Sequence, residues 1–215
     1  MFRVMAVAAA AMLVTACVTP RPMELQNPTV AYKASSKVLV GVVEARERVK
    51  GGKPGTFIGY IRMYGAPADL TVDVLTMAEK GKGKTASTYL GERIAAGLKA
   101  AGSDVVVVRA DREVTDAEAN SILAANGGGV LLTIIDRDYH VDINANWVGK
   151  FQFNTDFEVI VQKAGKGTVL RKRFAEKAAI QAAGEDSWAN QVADATKAKL
   201  QQILSDAEVQ AALAG

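Results

Sequence analysis

The side chains best suited to chemistry in this sequence alternate along one stretch near its centre. They are three carboxylates and the only histidine of the chain: Asp136, Asp138, His140 and Asp142. Successive side chains of a β-strand point to opposite faces, so regular alternation predicts that all four project from one face. Carboxylate and imidazole groups bind divalent cations, which makes these residues the candidate ligands of a metal ion.

A charge-paired surface accounts for the same residues better than a metal site does. Side chains two positions apart on a strand are about 6.5–7 Å apart, which is wide for several ligands of one ion. The next two predicted strands carry further charges at alternating positions: Asp156, Glu158, Arg171 and Arg173. Opposite charges on neighbouring strands stabilise a sheet. We therefore expect a solvated face with cross-strand ion pairs, without a metal ion or other cofactor.

Other catalytic or nucleotide-binding patterns are incomplete. The stretch Gly81-Lys82-Gly83-Lys84-Thr85 precedes a predicted helix, but a phosphate-binding loop needs a glycine where this chain has Ala78. A Ser-His-Asp or Cys-His arrangement would have to use His140, and no serine lies in a G-x-S-x-G setting. We predict that the chain is not an enzyme; a hydrolase with two catalytic carboxylates is the alternative that its acidic residues leave open.

A turn between two long predicted strands carries a tryptophan beside two asparagines, in the sequence Asn144-Ala145-Asn146-Trp147-Val148-Gly149. Large aromatic residues dominate the energetics of protein interfaces. Trp147, with Asn144 and Asn146, is therefore a candidate partner contact, although the indole could instead fold back onto the sheet. The basic loops at 50–55 and 80–84 are candidate contacts for anionic surfaces.

The single cysteine follows an N-terminal segment with the shape of a signal peptide. Met1-Phe2-Arg3 gives a positive start, and the apolar run from Val4 to Val14 is shorter than the ~20 residues of a membrane-spanning helix. The next residues, Leu13-Val14-Thr15-Ala16-Cys17, resemble the lipobox of bacterial lipoproteins. The resemblance implies cleavage between Ala16 and Cys17, a diacylglycerol on the sulfur and an acyl chain on the new amino group. A plain secretory signal with a chance cysteine is the alternative.

The residues after Cys17 indicate in which membrane the protein would reside. Two or three acyl chains hold a protein stably on a membrane, whereas one chain does so only marginally. In lipoproteins of this kind an aspartate just after the cysteine commonly directs retention in the inner membrane, and here Val18 and Thr19 follow. The resemblance therefore implies the outer membrane, facing the periplasm, with the inner membrane as the alternative.

Composition and proline content divide the chain into three parts. We predict a signal peptide over 1–16, a lipidated N-terminus and flexible linker over 17–36, and a single periplasmic domain over 37–215. The linker contains three prolines, which disfavour helix and central strand. The formal charge of +3 comes from bases scattered among nearly as many acids, so no nucleic-acid partner is expected.

Hydrophobic periodicity predicts seven strands and three longer helices. The strands are 38–43, 57–63, 70–75, 104–109, 130–143, 150–162 and 168–174, and the helices are 85–101, 115–127 and 186–204. Capping boxes are predicted at Thr115–Glu118 and at Ser205–Glu208. This order predicts an α/β (α+β) sandwich with a mixed sheet. Its last three strands form an antiparallel meander, and its helices pack mainly on one face.

Several segments together resemble the YajG-like bacterial lipoproteins, an envelope family without an established activity. Besides the lipobox they are Val38–Arg46, Phe57–Gly59, Thr85–Gly102, Asp136–Ile143 and Gln181–Val192. The same order of elements also resembles the wider set of envelope lipoproteins that work as accessories, which implies a non-enzymatic accessory module that is held on the membrane by its lipid and binds an envelope protein. A lipoprotein that binds a small ligand or a divalent metal is the alternative.

Overall fold

A computed structural model of the chain describes residues 21–64, 66–76, 83–146, 150–181 and 186–215. Within these ranges the chain forms seven strands and six α-helices. The strands are β1 (Val38–Glu44), β2 (Phe57–Met63), β3 (Ala66–Thr71), β4 (Val105–Val107), β5 (Val130–Asn144), β6 (Lys150–Lys163) and β7 (Gly167–Gln181). The helices are α1 (Glu47–Lys50), α2 (Asp73–Thr76), α3 (Ala86–Ala100), α4 (Asp116–Asn126), α5 (Trp188–Leu204) and α6 (Ala207–Ala214).

All seven strands belong to one mixed sheet in which β5 is the central strand. One edge of β5 pairs antiparallel with β6, which in turn pairs antiparallel with β7. The other edge pairs in parallel with two strands in succession, β1 along residues 130–136 and β2 along residues 141–144. Beyond them, β4 pairs with β1 and β3 with β2. The central strand therefore joins a mainly parallel half of the sheet to an antiparallel meander.

The main core lies between one face of the sheet and the helices α2, α3, α5 and α6. On the opposite face α4 covers a smaller cluster, in which its Ala119 and Leu123 pack on Leu39 and Leu131. Burial of apolar area on both faces is the main favourable term in such a fold. The predicted α/β (α+β) class, the meander and the placement of helices mainly on one face are confirmed.

The meander follows the side-chain alternation predicted for it. Phe151, Phe153, Phe157, Val159 and Val161 all belong to the main core. On the other face the predicted cross-strand ion pairs form. Arg173 Nε donates to Asp156 Oδ1 at 2.7 Å, and Arg171 Nη1 donates to Glu158 Oε1 at 2.6 Å.

The structure corrects two predicted elements. The strand expected over 70–75 is instead the end of β3 followed by α2, because Val72 and Leu75 are both buried three positions apart, as in a helical turn. A short apolar run is compatible with both the strand period of two residues and the helix period of 3.6 residues. The second capping box is also wrong: Asp206, not Ser205, caps α6, and its carboxylate accepts from the backbone of Glu208 and Val209.

Residues 21–36 do not behave as the linker expected from their prolines. The side chains of Met23, Val30 and Tyr32 pack on the main core, and Gln26 and Ala34 are buried. Gly97 of α3 lets this segment approach closely, because a Cβ there would lie 2.5 Å from the carbonyl oxygen of Pro28. The segment is therefore a strap along the helix layer, and we call residues 21–36 the strap.

Candidate functional site

The four candidate metal ligands on β5 do not share a face, contrary to the prediction. The pairing with β6 shifts by one residue between Asp136 and Asp138, as in a β-bulge. Asp136 is opposite Phe157 and faces the main core with it, whereas Asp138 is opposite Asp156. The extra residue breaks the alternation, so Asp136 lies on the core face of the sheet and the other three candidates lie on the opposite face.

Asp136 forms a buried ionic cluster with Arg46 and Glu44. Asp136 is fully buried and Arg46 is 2% exposed. Arg46 Nε lies 3.2 Å from Asp136 Oδ2 and donates to Glu44 Oε1 at 2.7 Å, and Nη2 donates to Glu44 Oε2 at 2.5 Å. The guanidinium also donates to the carbonyl oxygens of Phe57 at 2.5 Å and Gly55 at 3.2 Å. One arginine thus serves two carboxylates and two carbonyl groups.

The position of Arg46 follows from the topology of the sheet. Pairing of β1 with β5 ends at Asp136, and pairing of β2 with the same edge begins at Val141. The chain leaves the sheet between β1 and β2, and Arg46 lies at this break. Buried backbone carbonyls need a donor, and the guanidinium has five N–H groups in a planar fork. Arg46 therefore donates the hydrogen bonds that a paired strand would otherwise donate to these carbonyl groups.

Burial raises the pKa of Asp136 well above its usual range, and the nearby Glu44, Asp138 and Asp156 carboxylates add to that shift against the opposing charge of Arg46. Neither carboxylate oxygen accepts a hydrogen bond from the described part of the chain. A single guanidinium cannot neutralise both Glu44 and Asp136. The arrangement thus favours a protonated Asp136 over an ionised one.

We expect Asp136→Asn to be at least as stable as the wild type at pH 8 and to lose part of the pH dependence of unfolding. Because the folded pKa of Asp136 lies above the unfolded one, its contribution to stability is fully present below the unfolded pKa, about 3.9, and is lost as pH rises through the folded pKa. Urea denaturation at several pH values measures the effect.

Asp156→Asn is a control whose effect on the pH dependence of stability should have the opposite sign. The hydrogen bond from Arg173 lowers the pKa of Asp156, so its stabilisation is present above the unfolded pKa and is lost in acid. Asp156→Asn should therefore destabilise the protein near pH 7 and cost less as pH falls. Equal pH profiles for wild type and Asp136→Asn would contradict the protonated state of Asp136.

The remaining three candidate ligands are each held by a different neighbour. Asp138 accepts from Arg48 at 2.7 Å, and Asp142 accepts from Arg62 at 2.6 Å. His140 is buried, with its ring centroid 6.0 Å from that of Phe57 and 5.7 Å from that of Tyr60, and burial lowers its pKa.

Charge pairing, rather than convergence on an ion, organises this surface. In the described ranges no three Asp, Glu, His or Cys side chains come together as metal ligands. The expected solvated face with ion pairs therefore describes Asp138 and Asp142. Asp136 faces the core instead, and His140, although it lies on the same face of β5 as Asp138 and Asp142, is buried between aromatic rings.

A cleft of about 550 Å³ opens beside the ionic cluster, between the first turns of α3 and the ends of β1 and β4. Its floor includes Val42 and Gly91, and Glu44 lies at one side, where Ser87 Oγ donates to its carboxylate at 3.3 Å. Clefts at the carboxyl ends of parallel strands are common ligand sites in α/β proteins. No sequence pattern indicated this cleft, because residues 42–44, 85–91 and 107–111 meet only once β1 and β4 pair.

The side chains of the two asparagines of the β5–β6 turn accept hydrogen bonds from backbone N–H groups of this turn and of the β2–β3 turn. Asn144 Oδ1 accepts from the backbone of Asn146 at 3.1 Å, and Asn146 Oδ1 accepts from the backbone of Tyr64 at 2.9 Å. The second bond ties this turn to the β2–β3 turn. Trp147 lies outside the described residues.

Tyr64 is the exposed aromatic residue that sequence reasoning missed. Its side chain is 97% exposed, and its φ of 50° places a bulky residue in the left-handed region. That conformation costs about 1–2 kcal/mol for a residue other than glycine. We call the β2–β3 turn and the β5–β6 turn, joined through Asn146, the tip.

The basic loops proposed as contacts for anionic surfaces are already charge-compensated where the structure describes them. Lys50 pairs with Glu47 at 2.8 Å, and Lys53 pairs with Asp69 at 2.7 Å. Lys84 pairs with Glu92 at 2.7 Å, while residues 80–82 lie outside the described ranges. These lysines therefore give weaker contacts for an anionic surface than their spacing in the sequence indicates.

Ala16 and Cys17 also lie outside the described residues, which begin at Arg21. Over the described ranges, no helix combines the length and the apolar character needed to cross a membrane.

Comparison with known proteins gives distant similarities among solved structures. No protein-family model matches the chain, and no curated protein matches it. Among solved structures, it is similar to a DUF330 protein from Xanthomonas campestris, with 15% identity, 87% of this chain and 88% of that chain covered, and a TM-score of 0.45. A PelC dodecamer from Paraburkholderia phytofirmans gives 12% identity, coverage of 88% and 94%, and a TM-score of 0.42.

The lipoprotein GNA1162 from Neisseria meningitidis is a more distant neighbour, with 10% identity, coverage of 78% of this chain and 97% of that chain, and a TM-score of 0.32. At these TM-scores none of the three similarities assigns a function. Membership of the YajG-like family stays a prediction.

Proposed function

We propose that this chain is a lipoprotein of the bacterial envelope, anchored through acyl chains on Cys17, whose domain faces the periplasm as a non-enzymatic accessory module. The observation that carries the proposal is the sequence LVTAC, in which the only cysteine of the chain follows a positive start and a short apolar run. Each buried methylene of an acyl chain contributes ~0.8 kcal/mol, so two or three chains anchor the domain stably.

Substitution of the acylated residue tests the anchor directly. We expect Cys17→Ser to abolish labelling with a radioactive fatty acid, to block processing, and to remove the acyl mass from the protein. Thr19→Ser, close to the cleavage site but outside the lipobox, is the matched control and should be processed normally. Full processing and membrane attachment of Cys17→Ser would contradict the proposal.

The location is the outer membrane, with the inner membrane as the alternative, and the residue after Cys17 tests the choice. We expect Val18→Asp to move the lipoprotein from the outer- to the inner-membrane fraction of a sucrose gradient, whereas Val18→Ala should leave it in place. Wild-type protein in the inner-membrane fraction would favour the alternative.

The accessory role requires a surface that binds a partner, and the tip is the best candidate. Tyr64 is almost fully exposed on a strained backbone that Asn146 supports, and the candidate contact Trp147 follows Asn146 directly in the chain. Strain of this kind persists where the surrounding structure enforces it and is frequent at functional sites. A partner that covers the Tyr64 ring would bury a large aromatic surface, as interface hot spots do.

We expect Tyr64→Gly to separate stability from binding. Glycine adopts positive φ without strain, so the free energy of unfolding should stay unchanged or rise by up to about 1 kcal/mol. If Tyr64 is an interface hot spot, partner capture should fall by about tenfold or more, since 1.4 kcal/mol corresponds to a factor of ten.

Photo-crosslinking in the native envelope measures that capture. The crosslinking residue replaces Trp147, with sites in 50–55 and 80–84 for comparison. Val169→Ala, at another exposed apolar residue, is the matched control for Tyr64→Gly. A discrete crosslinked protein that Tyr64→Gly abolishes would support the interaction module. Its absence from every site, with the protein folded and correctly located, would contradict it.

A further inference from the structure

The first described residue, Arg21, forms hydrogen bonds with residues at the start of α5 through both its backbone and its side chain. Its backbone N–H donates to Asn190 Oδ1 at 2.6 Å. Its Nη2 donates to Asp186 Oδ2 at 2.7 Å and to Asp194 Oδ2 at 2.6 Å, and its Nε donates to Asp194 Oδ1 at 3.2 Å. We call Arg21 and these three partners the clamp.

The residues that follow Arg21 hold the clamp in place. Gln26 is 1% exposed, and its Nε2 donates to the carbonyl oxygens of Arg21 at 2.7 Å and Leu75 at 2.9 Å. Tyr89 donates to Gln26 Oε1 at 2.6 Å, and Arg93 donates to the carbonyl oxygen of Met23 at 2.6 Å. A buried, fully bonded glutamine is costly to displace. The strap is therefore bound to the body of the domain from Arg21 onward.

This attachment leaves only four residue steps between Cys17 and the body of the domain. At most ~3.3–3.6 Å per residue, those steps span about 14 Å. A flexible linker over the whole of 17–36 would instead let the domain stand some tens of ångströms from the membrane. The strap removes most of that length.

Strand register shows which end of the domain carries the clamp. Gln181, the last residue of β7, pairs with Lys150 at the β5–β6 turn. Asp186 is five residues further along the chain and so lies within about 17 Å of this point. The opposite end of the meander is the β6–β7 turn around Lys166. The 14 residues of β6 separate the two ends by about 45 Å.

We propose that the strap and clamp make the lipid on Cys17 a short tether that holds the clamp end of the domain against the headgroup layer of the bilayer. This inference rests on the proposed acylation of Cys17. The attraction comes from the acyl chains, because Arg21 is engaged by two carboxylates of its own domain. The tip lies at the same end, so a partner bound there meets this protein at the membrane surface.

A depth measurement on the acylated full chain tests the orientation. With Cys17 blocked by lipid, each introduced cysteine is the only free thiol. Spin labels are placed at Leu25→Cys, in the strap and 54% exposed, or at Lys166→Cys, exposed at the far turn. The protein is reconstituted into vesicles of phosphatidylethanolamine and phosphatidylglycerol that carry a paramagnetic chelate on their headgroups. We expect relaxation enhancement several-fold larger at position 25 than at position 166.

A spacer variant is the matched control. Insertion of about twelve Gly and Ser residues between Thr19 and Pro20 adds a flexible chain with a reach of roughly 20 Å, and the difference between the two labels should shrink toward zero. Equal enhancement at both positions in the chain without the spacer would overturn the short tether. So would a difference that the spacer leaves unchanged, because the orientation would then have another cause.

Failure of the acylation itself has a different signature. If Cys17 carries no lipid, the protein does not sediment with the vesicles, its mass lacks the acyl chains, and neither label shows enhancement. Such a result would overturn both the anchor and the tether. Sedimentation with the acyl mass present, but with equal enhancement at the two labels, would overturn the tether alone.

Discussion

Arg46→Met should lower the free energy of unfolding by about 3–5 kcal/mol, the usual cost of removing one partner from a buried ion pair. Methionine has a similar length and no charge, so the substitution removes the hydrogen bonds with little change in volume. The Glu44 carboxylate and the Asp136 carboxyl group would lose the guanidinium beside them, and the carbonyl oxygens of Phe57 and Gly55 would lose a donor. Urea denaturation monitored by tryptophan fluorescence measures the loss.

The pH dependence and a matched variant identify the cause. The loss should be larger at pH 8 than at pH 5, because the raised pKa of Asp136 keeps this buried carboxyl group uncharged at the lower pH even without the guanidinium. Combining Arg46→Met with Asp136→Asn should recover part of the stability. Arg48→Met removes a half-exposed partner of Asp138 and should cost at most about 1 kcal/mol. An Arg46→Met cost no larger than that of Arg48→Met would show that Arg46 does not support the break between β1 and β2.

Gly59→Ala should destabilise the protein by about 3 kcal/mol or more, since it forces backbone apart instead of displacing a side chain. A Cβ on Gly59 would lie 1.9 Å from the carbonyl oxygen of Val141 and 2.8 Å from its nitrogen. Gly59 and Val141 are the first pair between β2 and β5. Its φ of 156° is also one that residues with a side chain rarely adopt. The methyl group would therefore separate β2 from the central strand.

Hydrogen exchange can locate the damage of Gly59→Ala. We expect protection to fall along β2 and in the linked turns at Tyr64 and Asn146 before it falls in β6 and β7. Gly52→Ala is the control: Gly52 has a φ of 105°, and a methyl group added there would meet no other atom within 4 Å, so only the strain of about 1–2 kcal/mol is expected. Equal costs for the two substitutions would contradict the steric account.

Features that depend on neighbouring residues in the chain were predictable. Thr115 and Glu118 form the predicted capping box, because both partners lie within one helical turn. The alternation of Phe151, Phe153 and Phe157 identified the core face of β6 because a side-chain period of two is a property of the strand itself. The lipobox belongs to the same class, since the proposed modification depends on a short linear motif.

Features that depend on pairing between distant segments needed the tertiary structure. Alternation placed Asp136 beside Asp138, but one extra residue against β6 turned Asp136 toward the core. Nothing near Arg46 in the sequence shows that β1 and β2 share one edge of β5 with a gap between them. Likewise, the prolines of the strap predicted a chain without long helices or strands, and the strap contains only one short 3-10 turn. Whether such a segment lies in solvent or along a domain is decided by partners such as Asn190 and Asp194, which are about 170 residues away in the chain.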